Sequence, residues 1–430
     1  MSVVQPPKND QYPRLNGLIA EAKQKSPFYS DLYKDMATTG RLTPKEVPLI
    51  DHSKYWAAYH DSERSVMTSC QIDGVLMKTG GTTGTPKFTS YSQIELLRTA
   101  SLLADGLLHA GLRAGDRVDL FYAGDLYGSF LLHILSVISL PIPAIQIPIG
   151  GLMAPDVTAQ LLRTCRATAV LSTITSLVRL ASYCRPKHQR FLSVTAVMFG
   201  GEPMFEDQVA AVAYLFPNAT IRSCIYGSID AGVVAVSAGS SDPAEHIVLS
   251  AAAIVEILVD RDGELIPTEE ENISGTLVVT NLIRDLTPVI RYPTGDRAEW
   301  VDKPAGIFRL LGRSNNAVRL GPVSLDISHL RQLARAVLKT VAIEAFQVVV
   351  TRQDCKDAME IMINTSEPPP AASGEAIIEM LNEQRPMLKK HIEMGLVAPA
   401  KVCFKSICEM KANPRSGKLP EILDLRLATV

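Results

Sequence analysis

Ten residues constrain this chain more than any other stretch: Lys78-Thr79-Gly80-Gly81-Thr82-Thr83-Gly84-Thr85-Pro86-Lys87, directly after the apolar run Val75-Leu76-Met77. Glycines at that density let a backbone come close to a ligand and turn its N–H groups inward. Successive inward N–H groups make an anion-binding concavity, and threonine hydroxyls add donors to phosphate or ligands to a metal. The closing lysine adds a point charge. The stretch reads as a polyphosphate cradle, but not as the P-loop, whose Gly, four residues, Gly-Lys-Ser/Thr spacing fails at Gly84-Thr85-Pro86-Lys87. A flexible Gly/Thr linker is the plain alternative. Its position between an apolar strand and a Pro-Lys pair speaks against that.

The stretch resembles the signature loop of the adenylate-forming superfamily of acyl-CoA synthetases, carrier-loading adenylation domains and luciferases, Thr-Ser-Gly-Ser/Thr-Thr-Gly-x-Pro-Lys. Thr79 to Lys87 match it everywhere except Gly80, where serine is usual. The resemblance implies that Thr79, Gly80, Gly81, Thr82, Thr83 and Gly84 bind ATP, that Thr83 also meets the metal, and that Lys87 is catalytic.

At 430 residues the chain is long enough for two or three domains. Its net charge of −2 argues against non-specific nucleic-acid binding. No eighteen-residue apolar stretch and no signal-peptide core are visible, so no membrane span and a cytoplasmic location are expected. Seven scattered cysteines without a Cys-x-x-Cys pair indicate neither a zinc site nor a disulfide framework.

Residues 13 to 36 carry helical spacing, interrupted at Ser26-Pro27, and Val47-Pro48-Leu49-Ile50 follows. This order is similar to the opening of the phenylacetate-CoA ligase branch. Helices are expected over 92–111 and about 127–139, and a strand over 140–147. The segments 155–165, 169–172, 175–184 and 194–199 continue a helix–strand alternation that favours a parallel sheet. From about 246 to 310, short strands with turns such as Arg261-Asp262-Gly263 suggest an antiparallel sheet or small barrel. A boundary falls near Gly312-Arg313-Ser314-Asn315-Asn316. Beyond it a helix (327–340), strands (345–351, 358–364), a second helix (374–391) and a strand (401–407) make a compact α+β unit.

Further motifs follow in family order. Gly200-Gly201-Glu202-Pro203 ends an apolar strand, the usual place for a ligand in an α/β sheet, though a simple strand-to-helix turn reads the same way. By resemblance Gly201, Glu202 and Pro203 line the adenine pocket. Tyr226-Gly227-Ser228-Ile229-Asp230 resembles Tyr-Gly-x-Thr/Ser-Glu, which implies that Tyr226 and Gly227 hold adenine. Asp230 then stands in for the glutamate that holds magnesium. Arg291-Tyr292-Pro293-Thr294-Gly295-Asp296 resembles Arg-Tyr-x-Thr-Gly-Asp, whose aspartate accepts from both ribose hydroxyls; a carboxylate, acceptor-only, suits that task. Gly312 to Gly321 resembles the hinge motif, which implies a nucleotide contact for Arg313 and a pivot at Asn315, with Asn315 and Asn316 replacing two aspartates. Lys418, in Asn413-Pro414-Arg415-Ser416-Gly417-Lys418, matches the closing catalytic lysine, though an exposed lysine is usually plain surface. Tyr122, Tyr127, Phe130 and His133 lie where the branch lines its acyl pocket, and their helical spacing fits ordinary core packing equally well.

The expectation is an α/β protein of the adenylate-forming fold. A large N-terminal domain with a β-rich subdomain (1–312) would be followed by a small mobile α+β lid (313–430). The resemblance implies an AMP-forming acid–thiol ligase that uses ATP and Mg2+ to turn a carboxylic acid, aryl or arylacetic, into acyl-AMP, then transfers the acyl group to coenzyme A. The alternatives are transfer to an acyl carrier protein or an amine, and a non-catalytic nucleotide binder. A homodimer is compatible with any of them; no nucleic-acid or membrane partner is expected.

Overall fold

The computed structural model describes residues 11–425 apart from 38–39, 79–87, 122–125, 127, 151–152, 202–203, 205, 262, 314–316, 321–322, 354–355, 394–396 and 413–417. Near its start, Gln11–Lys25 and Pro27–Leu32 form two helices split where sequence reading splits them. Ser26 caps the second, its Oγ accepting from the Tyr29 N–H at 3.5 Å. Leu15, Leu18, Ile19 and Ala22 bury one face against Tyr29, Tyr33, Tyr55, Trp56 and Tyr292.

A hairpin of β1 (Val75–Lys78) and β2 (Phe88–Tyr91) brackets the glycine-threonine stretch, pairing Lys78 with Phe88 and Val75 with Tyr91. The helix Gln93–His109 follows, opened by a capping box between Ser92 and Glu95. Next come β3 (Arg117–Phe121), β4 (Ile145–Pro148), β5 (Ala169–Ser172), β6 (Ala196–Phe199) and β7 (Thr220–Ser223), alternating with helices. They build a parallel sheet in the order β4-β3-β5-β6-β7. The chain first steps from β3 to β4, then returns to the other side of β3. In such open sheets ligands bind at the carboxyl ends of the strands, at the point where the winding reverses. Both faces are covered, so β5 and β6 are buried at every position. The expected strand over 140–147 is confined to Ile145–Pro148. Pro141 and Pro143 cannot donate to a ladder, which delays pairing.

The second sheet is antiparallel and larger than sequence reading suggests. It adds β8 (Tyr226–Ser228) and β9 (Gly232–Ser237) to β10 (Glu245–Val248), β11 (Ala253–Arg261), β12 (Glu264–Thr268), β13 (Gly275–Asn281), β14 (Val289–Asp302) and β15 (Ile307–Arg313). β8 follows β7 almost directly, so one short connection joins the two sheets. Beyond residue 313 a hairpin of β16 (Ala317–Leu320) and β17 (Val323–Asp326) leads to the helix Ile327–Leu338. A four-stranded sheet follows: β18 (Ile343–Gln353), β19 (Lys356–Thr365), β20 (Lys401–Phe404) and β21 (Ile422–Asp424) in the order β20-β19-β18-β21. The helix expected over 374–391 is two helices, Ser373–Gln384 and Pro386–Glu393. Pro386 lacks an N–H and drives Arg385 to φ −128°, which ends the first. The strand expected over 401–407 stops at Phe404, and β21 is a further strand beyond those the sequence suggests.

This sheet packs on the parallel-sheet body. Ala345, Val349, Met362, Ile407 and Met410 share one buried cluster with Leu177, Ala181, Val212 and Leu215 from two body helices. Glu344, 4% exposed in its side chain, meets Arg185 Nη1 at 3.0 Å and accepts from Ser182 Oγ at 3.0 Å.

Candidate functional site

The motif residues on strands converge where the two sheets meet. Tyr226 opens β8, and its hydroxyl donates to Asp296 Oδ2 at 2.6 Å, across 70 positions of sequence. The Tyr226 ring is held edge-on by Phe308 and tilted against His246. His246 is itself fixed by Ser223 Oγ at 2.8 Å and the Ala244 carbonyl at 2.9 Å; burial pushes its pKa down to about 4, so it packs as neutral imidazole. Gly227 is required by close approach, since a Cβ there would lie 2.5 Å from the Gly232 carbonyl.

Asp296 sits in a turn closed by its own N–H donating to Thr294 Oγ1 at 3.1 Å, with Thr294 donating to the Leu277 carbonyl. Gly295 takes φ +80°, a region open to glycine. A register shift beside Arg297 bends β14 and re-aims Asp296. Across the ladder Asp296 faces the backbone of Arg313, so the ribose motif and the start of the hinge motif are neighbours.

Asp230 is engaged on both oxygens: Oδ1 accepts from Ser228 Oγ at 2.5 Å and Oδ2 from the Tyr292 hydroxyl at 2.8 Å. Tyr292 in turn accepts from Trp56 Nε1 at 2.8 Å. A carboxylate is an acceptor-only group of the kind a cation takes. Among the described residues no cluster of three or more His, Cys, Asp or Glu could hold a metal.

On the parallel sheet, Gly201 follows β6 at its carboxyl end. Lys418 reaches it from 217 residues away, its Nζ donating to the Gly201 carbonyl at 3.0 Å. Gly201 has φ +79°, and a Cβ there would come within 2.7 Å of that Nζ. The positive φ favours glycine there.

Phe130 and His133 lie on the helix Gly128–Ile138 and point into packed core. Phe130 joins the cluster around Leu107 and Leu120, and His133 is 5% exposed. Its Nδ1 lies 2.6 Å from the Ser129 carbonyl and its Nε2 3.9 Å from Cys224 Sγ; burial pushes its pKa down to about 4. Packing therefore accounts for both side chains as described. Thr79, Gly80, Gly81, Thr82, Thr83, Gly84, Lys87, Tyr122, Tyr127, Glu202, Pro203 and Asn315 lie outside the described residues, as does the side chain of Arg313.

Sequence reasoning missed the buried charges behind this site. Arg291 forks onto both oxygens of Glu256 at 2.9 and 3.0 Å and donates to the Val47 carbonyl at 2.6 Å, at φ +48°. A buried bidentate pair is a strong, directional contact. The pair ties β11 to β14, the strand that carries Asp296, and the bond to Val47 ties the N-terminal segment to that strand. Arg284 and Glu95 are fully buried as well.

No protein-family model matches the chain. It is 24% identical over 455 residues to the phenylacetate-coenzyme A ligase of Thermus thermophilus, across 97% of this chain and 96% of that one. Among solved structures, 2-hydroxyisobutyryl-CoA ligase in its postadenylation state superposes with a TM-score of 0.70 at 17% identity, covering 97% of this chain and 89% of that one. The amide bond synthetase McbA of Marinactinospora thermotolerans gives 0.51 at 17%, covering 81% and 67%. The chain thus has the adenylate-forming fold, as its motifs lead one to expect. Within that fold its curated likeness is to a phenylacetate-coenzyme A ligase. No helix among the described residues is long and apolar enough to cross a membrane.

Proposed function

We propose that this protein activates a carboxylic acid, aryl or arylacetic, with ATP and passes the acyl group to coenzyme A. The observations that carry the reading are the Tyr226–Asp296 hydrogen bond beside the Arg313 backbone and the reach of Lys418 to the Gly201 carbonyl at the end of β6. Tyr226 offers a ring face for adenine, and Asp296 offers acceptor oxygens for the ribose hydroxyls. A carboxylate oxygen attacks the α-phosphorus of ATP, and the bond to the departing oxygen breaks to release pyrophosphate. Negative charge gathers where the two anions meet. The Lys418 ammonium, carried near Gly201, offsets it there. Asp230, with Thr83, would hold Mg2+ on the phosphates, where the ion neutralises the leaving group. The Thr79–Gly84 backbone and Lys87 would cradle those phosphates. Next the thiolate of coenzyme A attacks the acyl carbon, and AMP leaves with the bonding electrons. Residues 1–312 would form the activating domain and 313–430 the lid that delivers Lys418, pivoting at Asn315. The acid would lie beside the helix that carries Phe130 and His133.

Transfer to a carrier-protein thiol or an amine is the second reading. The likeness to an amide bond synthetase and the replacement of both hinge aspartates by Asn315 and Asn316 favour it. Pyrophosphate release measured over a panel of aryl acids, with and without coenzyme A, tests both. Acyl-CoA accumulating with release accelerated by coenzyme A is the expected outcome. Release that stalls after one turnover and ignores coenzyme A would favour the second reading.

A further inference from the structure

Arg284 belongs to none of the motifs, yet its side chain is fully buried at the centre of the site's scaffold. It rises from the turn after β13. Nη2 donates to Thr89 Oγ1 at 2.9 Å and to the Ser90 carbonyl at 2.8 Å, both on β2. Nη1 reaches the Ile229 carbonyl at 3.3 Å. The guanidinium lies over the Tyr91 ring, 3.7 Å from its centroid, and the Tyr91 hydroxyl donates to that same Ile229 carbonyl at 2.8 Å. From the other side Glu95, also fully buried, accepts from the Asp285 and Leu286 N–H groups at 2.5 and 2.8 Å.

A buried charge is expensive, and a methionine or leucine would fill this volume without that penalty. What an aliphatic side chain cannot do is hold three acceptors from two chain segments in one plane while stacking on a ring; the arginine fork does. The segments it joins are β2, which carries the chain away from residues 79–87, and Ile229, which directly precedes Asp230. We propose that Arg284 is a positioning residue for nucleotide binding, fixing β2 and the Ile229–Asp230 turn at the separation the nucleotide requires. It touches no substrate. The proposal rests on the nucleotide-activating reading above.

The test compares R284K and T89V with the wild type by calorimetric ATP titration, by KM for ATP and for the acid, and by Tm. R284K keeps the charge and loses the fork and the stacking. We expect it to raise the ATP Kd and KM by about tenfold or more, with the KM for the acid changed by less than about twofold. T89V removes one hydrogen bond and should raise the ATP Kd about threefold. In the double variant T89V should add less than it does alone, because its partner is already gone. An R284K protein with lowered Tm but wild-type ATP affinity would overturn the proposal and leave a core stabiliser. Should R284K not fold, wild-type ATP affinity in T89V decides against it. Calorimetric binding needs no turnover, so a wild type that binds ATP but releases no pyrophosphate would sink the activation reading alone.

Discussion

The two sides of the candidate site are built on opposite plans. On the antiparallel sheet Tyr226 and Asp296 stand on strands. Their contact is backed by Phe308 and His246, by the Thr294 turn and by the buried Arg291–Glu256 fork. Lys418 donates to the Gly201 carbonyl at the carboxyl end of the parallel sheet, from a segment more than two hundred residues away. One side is preorganised by packing, and on the proposed reading the other delivers a charge. Recognition of a nucleotide gains from rigidity, because donors and acceptors fixed in advance lose no freedom on binding. A lysine that must act only as the reaction proceeds gains from arriving on a separate element.

That contrast sorts the expected effects of substitution. The largest belongs to Lys418: K418A should lower acid-dependent pyrophosphate release by about a thousandfold, with ATP affinity changed by less than about threefold. Comparable losses in both would break the division between recognition and delivery. Next comes D296A, expected to weaken ATP binding by about tenfold to a hundredfold through lost acceptors for the ribose. Equilibrium titration checks it, and an unchanged Kd would move the ribose elsewhere. Breaking the scaffold alone sharpens the comparison. E256A strands the Arg291 charge and should destabilise the fold by about 3 kcal/mol, read by denaturant unfolding, with turnover per folded molecule kept.

A separate expected effect is a pH dependence. Asp119 is fully buried on β3, and burial pushes its pKa from 3.8 up to about 8, with the Leu120 N–H offsetting part of that rise. Between those values the folded state holds a proton that the unfolded chain releases. Its stabilising contribution is therefore complete below the unfolded value and is lost as pH rises through about 8. D119N should flatten that decline. Its stability relative to the wild type should increase steadily from pH 4 to pH 8, and parallel curves would show that Asp119 ionises normally.

The sequence made the strand-borne half legible for a physical reason. The roles proposed for Tyr226, Gly227 and Asp296 rest on their own chemistry, so residue type and spacing carry the information. The alternation of apolar strands and helices from 155 to 199 was equally readable, since both faces of the parallel sheet are buried. What stayed hidden acts through burial. Arg284, Glu95 and Glu256 look like surface charges in a one-dimensional reading, because nothing local announces partners nearly two hundred residues apart or on another strand. Pro386 did carry a signal for the break between two helices, outweighed by the apolar spacing around it. β21, three residues long, is strand only because β18 offers an open edge.

The central claim is that this protein makes an acyl-adenylate. The direct measurement is to incubate the wild type with ATP, Mg2+ and aryl acids in the absence of coenzyme A, and to assay the protein-bound fraction for acyl-AMP and the solution for pyrophosphate. The account predicts acyl-AMP and pyrophosphate in equal amounts, approaching one per protein, for at least one acid and neither for K418A. ATP bound without pyrophosphate or acyl-AMP from any acid would contradict it and leave a nucleotide-binding protein.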